Sequence, residues 1–170
     1  MIRDDPPETV ARALLASFDA RRWADVAERC AEPALREFHD AAARSIEVGR
    51  EHNGTSSNDA GLHESLRVYG DDVVNMAAFR ALPAREFFVR YLSRPDLPVR
   101  RVGRRTVEEV EIRGEEAVCR YRVSSDEATE LRLVRLEDQW MAIPNADMLS
   151  AVILSQALWR RRLDPADPDA

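Results

Sequence analysis

The sequence contains no lysine, so all 25 of its basic residues are arginine. Schiff-base catalysis is therefore excluded, and so is the phosphate-binding P-loop, because both need a lysine amine. The sequence also lacks a Gly-x-Ser-x-Gly elbow, a His-Glu-x-x-His pair and a Cys-x-x-Cys pair. No catalytic motif remains from which a reaction type can be inferred.

Cysteines and long apolar runs are also scarce. Cys30 and Cys119 lie far apart in the chain and inside apolar patterns, which predicts small buried side chains in a reducing compartment rather than a disulfide or a zinc site. The first residues, MIRDDPPETV, lack the apolar core of a signal peptide, and the run from Ala151 to Leu154 is too short to cross a bilayer. We therefore expect a cytoplasmic protein with no membrane partner.

Length and charge limit the remaining classes of protein. A chain of 170 residues fits one domain of ordinary size. We predict a single domain over residues 1–163 and a disordered tail over 164–170, because DPADPDA is too polar and too rich in proline to pack. The net charge of -6 repels a polyanion, so nucleic acid is not an expected partner.

The first half of the chain has helical periodicity. Asp5 as N-cap, Pro6 at the first position and Glu8 at the third predict the start of a first helix. Pro33 opens another helix, for which Gly49 is a natural stop, and the polar stretch that follows predicts a loop. Further helices are predicted near Trp23, over residues 62–69 and from Pro83.

After Pro98 the apolar period changes from helical spacing to alternation, which predicts strands. Short turns at residues 113–115, 124–127 and 137–138 permit only antiparallel neighbours, so we expect a meander. Asn145 then caps a predicted C-terminal helix from Ala146 to Leu163. The expected fold class is α+β, with N-terminal helices packed on a curved antiparallel sheet and a helix at the C-terminus.

Several packing positions resemble those of a known superfamily. Phe18, the turn from Asp19 to Trp23, the segment Ala31 to Leu35 and the closing hairpin LVRLEDQWMAI are similar to their counterparts in the nuclear transport factor 2-like superfamily, which includes ketosteroid isomerase-like proteins. The resemblance covers residues 8–144. It implies a cone-like fold whose open mouth holds a small apolar ligand, and a homodimer formed through the sheet.

The resemblance by itself does not select a function, because the superfamily contains binding proteins as well as enzymes. We expect a non-catalytic domain that binds a small apolar ligand or a protein partner, without a cofactor. One alternative is a cofactor-free lyase, isomerase or hydrolase that acts inside the cone. Another is an immunity-type protein, for which a contiguous acidic face is expected. The candidate pocket residues are aromatic: Phe18, Trp23, Phe38, Tyr121 and Trp140.

Two residues are candidates for catalysis. His39 lies on the margin of a helical apolar stripe, where a neutral imidazole can act as a base, although a surface or hydrogen-bonded structural histidine fits the same pattern. Tyr121 alternates with Arg120 and Arg122, so a Tyr121 hydroxyl facing the cone can polarise a ligand carbonyl, as the resemblance implies. The other interpretation of Tyr121 is a tyrosine packed in the core.

Asp147 and two histidines are the other polar residues considered for a functional site. Asp147, just after the last strand, is interpreted as charge compensation at the start of the C-terminal helix. His52 and His63 flank the polar loop, but their spacing matches no standard set of metal ligands, and we predict no metal site.

Overall fold

The computed structural model describes residues 5–52, 66–94, 103–124, 127–145 and 147–149. Its helices are α1 (Pro7–Asp19), α2 (Trp23–Glu28), α3 (Glu32–His52), α4 (Met76–Ala81) and α5 (Ala84–Ser93). Its strands are β1 (Arg105–Arg113), β2 (Glu116–Val123), β3 (Thr129–Leu136) and β4 (Gln139–Ile143). Helices precede strands, so the predicted α+β class is confirmed. Except for residues 147–149, the predicted C-terminal helix and tail lie outside the described residues.

The start of α1 corrects the prediction by one residue. Pro6, not Asp5, is the N-cap, and no side chain caps the helix. Pro6 is extended, with φ -56° and ψ 149°, because a residue followed by proline is driven away from the helical region. The first residue free to be helical is therefore Pro7, and Asp5 lies too early to form the capping box.

The sequence analysis also placed one helix end wrongly and missed one helix. Gly49 does not stop α3, which continues to His52, since an isolated glycine weakens a helix by only about 1 kcal/mol relative to alanine and does not end it. Helix α4 was not predicted. Its N-cap is Asn75, whose side chain accepts a hydrogen bond from the backbone N–H of Ala78 at 2.8 Å.

The four strands form one antiparallel sheet in the order β1-β2-β3-β4, which confirms the predicted meander. The turn between β3 and β4 consists of Glu137 and Asp138, both with positive φ, at 49° and 64°. Two consecutive positive φ values match the right-handed twist of a tight hairpin. The register of β1 against β2 shifts between Val107 and Glu109, which marks a bulge.

One face of the sheet packs on α1 and forms the core. Alternate residues of β2 and β3 are buried there, while Leu14 and Leu15 cover them from the helix. The start of α3 is fixed to β4, because the backbone N–H of Ala31 donates to the Ala142 carbonyl at 2.8 Å. Cys30 and Cys119 are free and buried in this core, as predicted. Burial raises the pKa of Cys30 to about 12 and that of Cys119 to about 11.

The opposite face of the sheet carries charges of both signs on its first three strands. Arg120 pairs with Glu109 at 3.2 Å and with Glu130 at 3.3 Å, and Arg122 pairs with Glu108 at 2.8 Å. These groups are largely exposed, so each pair adds little to stability. The interleaved arginines mean that this face is not a contiguous acidic surface.

Among the residues that the structure describes, no helix combines the length and the apolar character that a bilayer crossing requires.

Candidate functional site

A buried arginine stands between two carboxylates where α1 meets the edge of the sheet. The Arg105 side chain, at the start of β1, is only 4% exposed. Its Nη1 donates to Oδ1 of Asp19 at 2.7 Å and its Nε donates to Oδ2 of Asp147 at 2.9 Å. The backbone N–H of Arg105 also donates to Oδ2 of Asp19 at 2.9 Å. Asp19, Arg105, Asp147 and Tyr121, described below, form what we call the buried polar network.

The C-terminus of α1 places Asp19 within reach of β1. The N–H of Arg22 donates to the Ser17 carbonyl at 2.8 Å and the N–H of Arg21 to the Phe18 carbonyl at 3.0 Å. This pair of hydrogen bonds is a Schellman motif, and Arg21, with φ 55°, occupies its left-handed position. Because the helix ends in this fixed geometry, the carboxylate of Asp19 is directed at the start of β1.

The guanidinium of Arg105 also lies over an aromatic ring. Its Cζ is 4.5 Å from the centroid of the Phe18 ring, a distance at which a cation is attracted by the ring face. Phe18 in turn contacts Trp23 edge to face, with centroids 5.3 Å apart. The position of Arg105 is therefore defined by two carboxylates and one ring.

Tyr121 extends the network into the sheet. Its side chain is fully buried on the face of β2 that packs on α1, and its hydroxyl donates to Oδ2 of Asp147 at 3.0 Å. The hydroxyl accepts from Nδ2 of Asn145 at 2.9 Å, and the same amide donates to the Glu130 carbonyl at 2.8 Å. Oδ1 of Asn145 is buried, and no donor to it exists among the described residues.

The environment fixes the protonation of both donors to Asp147. Burial lowers the pKa of Arg105, but hydrogen bonds and the charges of Asp147 and Asp19 outweigh burial and raise the pKa above its ordinary value. Burial is the main reason why the pKa of Tyr121 is raised, and the charge of Asp147 adds to it. At neutral pH the arginine is therefore charged and the tyrosine is a neutral hydrogen-bond donor.

A cleft of about 730 Å³ lies beside the network, between α1 and β1. Among the described residues its lining consists of Arg12, Leu15, Ala16, Asp19, Ala20, Gly103, Arg104, Arg105 and Val107. Gly103, with φ 149°, leads into β1 at a point where a β-carbon would collide with the hydroxyl of Ser124. Only glycine therefore lets the chain enter the strand in this conformation, which sets the positions of Arg104 and Arg105 in the cleft.

The structure separates the aromatic residues predicted to line a pocket. Phe18 contacts Arg105 of the buried polar network, and Tyr121 belongs to that network. Phe38 instead lies in an aromatic cluster between α3 and α5, with centroid distances of 5.4 Å to Phe87 and 4.9 Å to Tyr91. Trp23 is partly exposed at the start of α2, and Trp140 is 8% exposed on β4. A ligand pocket formed by these five residues stays a prediction.

His39 lies in that aromatic cluster and not in the network. It is 6% exposed, its Nε2 donates to the Phe79 carbonyl at 3.0 Å, and its ring stacks on Phe87 with centroids 4.5 Å apart. Burial lowers the pKa of His39, and the hydrogen bond to Phe79 and the charge of Asp40 offset this only in part. These contacts are those of a hydrogen-bonded structural histidine.

Sequence reasoning missed the ion pairs of the network. It interpreted Asp147 as charge compensation for a helix, whereas the structure pairs Asp147 with Arg105 and Tyr121 and leaves its side chain 6% exposed. Two local features pointed to the pairs. Asp19 lies at the negative end of a helix, where a carboxylate needs a partner, and Arg105 shares the inward-facing register of Val107.

The described residues contain no group of three or more His, Cys, Asp or Glu that could hold a metal ion. The side chain of His52 and all of His63, the histidines considered for metal binding, lie outside them.

Comparison of the chain with protein-family models, with curated proteins and with solved structures finds no match. The resemblance to the nuclear transport factor 2-like superfamily is therefore neither supported nor opposed by a relative, and the site has to be interpreted from its own chemistry.

Replacing the buried arginine tests the network. In Arg105→Leu, Asp19 and Asp147 lose their cation, and we expect the free energy of unfolding at neutral pH to fall by about 3–5 kcal/mol because a buried charge is left uncompensated. The measurement is urea denaturation followed by circular dichroism. Arg113→Leu, at the exposed end of the same strand, is the matched control and should change stability little. Equal losses in the two variants would contradict the assignment.

The lowered pKa of His39 predicts a pH dependence. The unfolded chain takes up the proton more readily than the folded one, so stability is lost as the pH falls through the ordinary histidine pKa of about 6.5. His39→Gln keeps an N–H donor for the Phe79 carbonyl but does not titrate. We expect urea midpoints of the wild type to fall between about pH 7.5 and 5.5, and those of the variant to stay level. A parallel decline in both proteins would assign the effect to other groups.

Proposed function

We propose that this chain is a non-catalytic binding domain that holds a small, largely apolar molecule in the cleft between α1 and β1. The observation that carries the proposal is the cleft itself, whose volume of about 730 Å³ is of the size that small ligands occupy. Its walls include four apolar residues: Leu15, Ala16, Ala20 and Val107. Apolar walls with a few polar groups are typical of sites that bind small molecules.

The state of the buried polar network favours binding over catalysis. Ionisable groups do converge within hydrogen-bond distance at Arg105, Asp147 and Tyr121, as a cofactor-free isomerase, lyase or hydrolase would need. Oδ2 of Asp147, however, already accepts from both neighbours, and these three side chains are nearly inaccessible to solvent. A general base has to reach the proton that it removes. Asp19 and Arg105 of the network therefore act, in this proposal, as a rigid part of the cleft wall.

A cone of the nuclear transport factor 2-like kind is part of the same proposal. Its support is that the strands of the sheet succeed one another as a meander and that α1 covers their inner face. The proposed homodimer forms through the outer face of the sheet. Its support is a set of partly exposed apolar side chains that share this face: Val118, Val134, Met141 and Ile143.

Filling the cleft tests the proposed function. N-phenyl-1-naphthylamine is neutral and apolar and fluoresces when it leaves water, so its titration reports binding without any charge effect. We expect saturable binding to the wild type, and at least about tenfold weaker binding to Ala16→Trp, because an indole in the cleft takes the place of the probe; tenfold corresponds to about 1.4 kcal/mol.

The matched control is Ala77→Trp, which makes the same change at an exposed position of α4. It should bind the probe as the wild type does. If the wild type shows no saturable binding, or if both tryptophan variants bind as the wild type does, the cleft is not the binding site and the proposal is wrong.

A further inference from the structure

We infer that the ligand of the cleft is an amphipathic carboxylate, whose anionic head pairs with Arg104 while its hydrocarbon body lies against the apolar wall. This inference rests on the proposed function and adds the chemical class of the ligand to it. The observations that carry it are the ion pairs beside the cleft and the one arginine of its described lining, Arg104, that takes part in none of the ion pairs among the described residues.

Arg104 is the cation of the cleft that remains available. Its side chain is exposed and has no ion-pair partner within the part of the chain that the structure describes. The other two cleft arginines are engaged, since Arg12 pairs with Glu8 at 2.7 Å and Arg105 pairs with Asp19 at 2.7 Å. A guanidinium is charged at any physiological pH and binds a carboxylate through two parallel N–H donors.

Asp19, the carboxylate in the described lining of the cleft, is directed at Arg105. Both oxygens of Asp19 accept hydrogen bonds from Arg105, one from the guanidinium and one from the backbone N–H. Arg105 also pairs with Asp147, and Arg12 is balanced by Glu8, so neither arginine adds a net positive charge to the cleft. In a chain with a net charge of -6, Arg104 is therefore the group of the cleft lining that attracts an anion.

The backbone fixes where Arg104 presents its charge. The Arg104 carbonyl accepts from the Ser124 N–H at 3.2 Å, which joins the residue to the end of β2 directly after the constrained Gly103. The neighbouring wall of Leu15, Ala16, Ala20 and Val107 has no charge. One cation beside an apolar wall suits a head group of single charge on a hydrocarbon body, whereas a dianionic phosphate would keep one uncompensated negative charge beside a single guanidinium.

A pair of competitors that differ only in the head group tests this inference. Dodecanoate, used below its critical micelle concentration, and 1-dodecanol are each titrated against bound N-phenyl-1-naphthylamine at neutral pH. We expect dodecanoate to displace the probe at a concentration at least about tenfold lower than 1-dodecanol does, which corresponds to about 1.4 kcal/mol. Arg104→Gln should remove this advantage, so that the two competitors displace the probe from the variant at similar concentrations.

Arg36→Gln is the control for net charge, because it removes an exposed arginine of α3 and should keep the preference for dodecanoate. Equal displacement by the two competitors, with tight binding of the probe, would overturn the carboxylate inference and leave the proposed function standing. An equal loss of the preference in Arg36→Gln and Arg104→Gln would also overturn it. Absence of probe binding in the wild type would overturn both proposals.

Discussion

The contact of Arg105 with Asp19 and Asp147 is the interaction on which the arrangement of this protein depends. It joins the end of α1, the start of β1 and the segment after β4 through one side chain that is 4% exposed. Removing such a cation from water costs several kcal/mol, and here two carboxylates and a ring face compensate that cost. The net gain in stability from such a cluster is modest, but few other positions of α1 on the sheet would satisfy all of its hydrogen bonds.

The same contact determines the character of the cleft. By holding α1 against the edge of β1, it sets the distance between the apolar residues of the helix and Val107 of the strand. It engages both oxygens of Asp19, while Arg104, one residue before Arg105, faces the cleft without an ion-pair partner in the described part of the chain. Structure and proposed binding are therefore coupled at two adjacent residues.

The sequence allowed the local features of the fold to be predicted and not the site. The change of apolar period near Pro98 and the short turns were sufficient for the meander, because alternation and turn length depend on neighbouring residues alone. The start of α1, the continuation of α3 past Gly49 and the short helix α4 depend on small energy differences that a capping pattern does not resolve. Tyr121 was a candidate, but its partner Asp147 received a different interpretation.

The ion pairs themselves could not be read from the chain. Arg105 is 86 residues from Asp19 and 42 residues from Asp147, and the sequence contains 25 arginines and 31 acidic residues that could pair in many ways. Only the packing of α1 on the sheet selects these three. Local patterns pointed to two of them separately, to Asp19 as a carboxylate at the negative end of a helix and to Arg105 as a charge on a buried face.

The most direct test of this account is an NMR measurement of the Arg105 side chain in the intact protein. A buried Nε–H that donates to Asp147 under the face of Phe18 should give a resolved signal, slow exchange with water and cross-relaxation to the Phe18 ring protons. Arg113 provides an exposed reference on the same strand. The account predicts protected exchange for Arg105 alone of the two. An Arg105 Nε–H that exchanges as fast as that of Arg113 and shows no contact with Phe18 would contradict it.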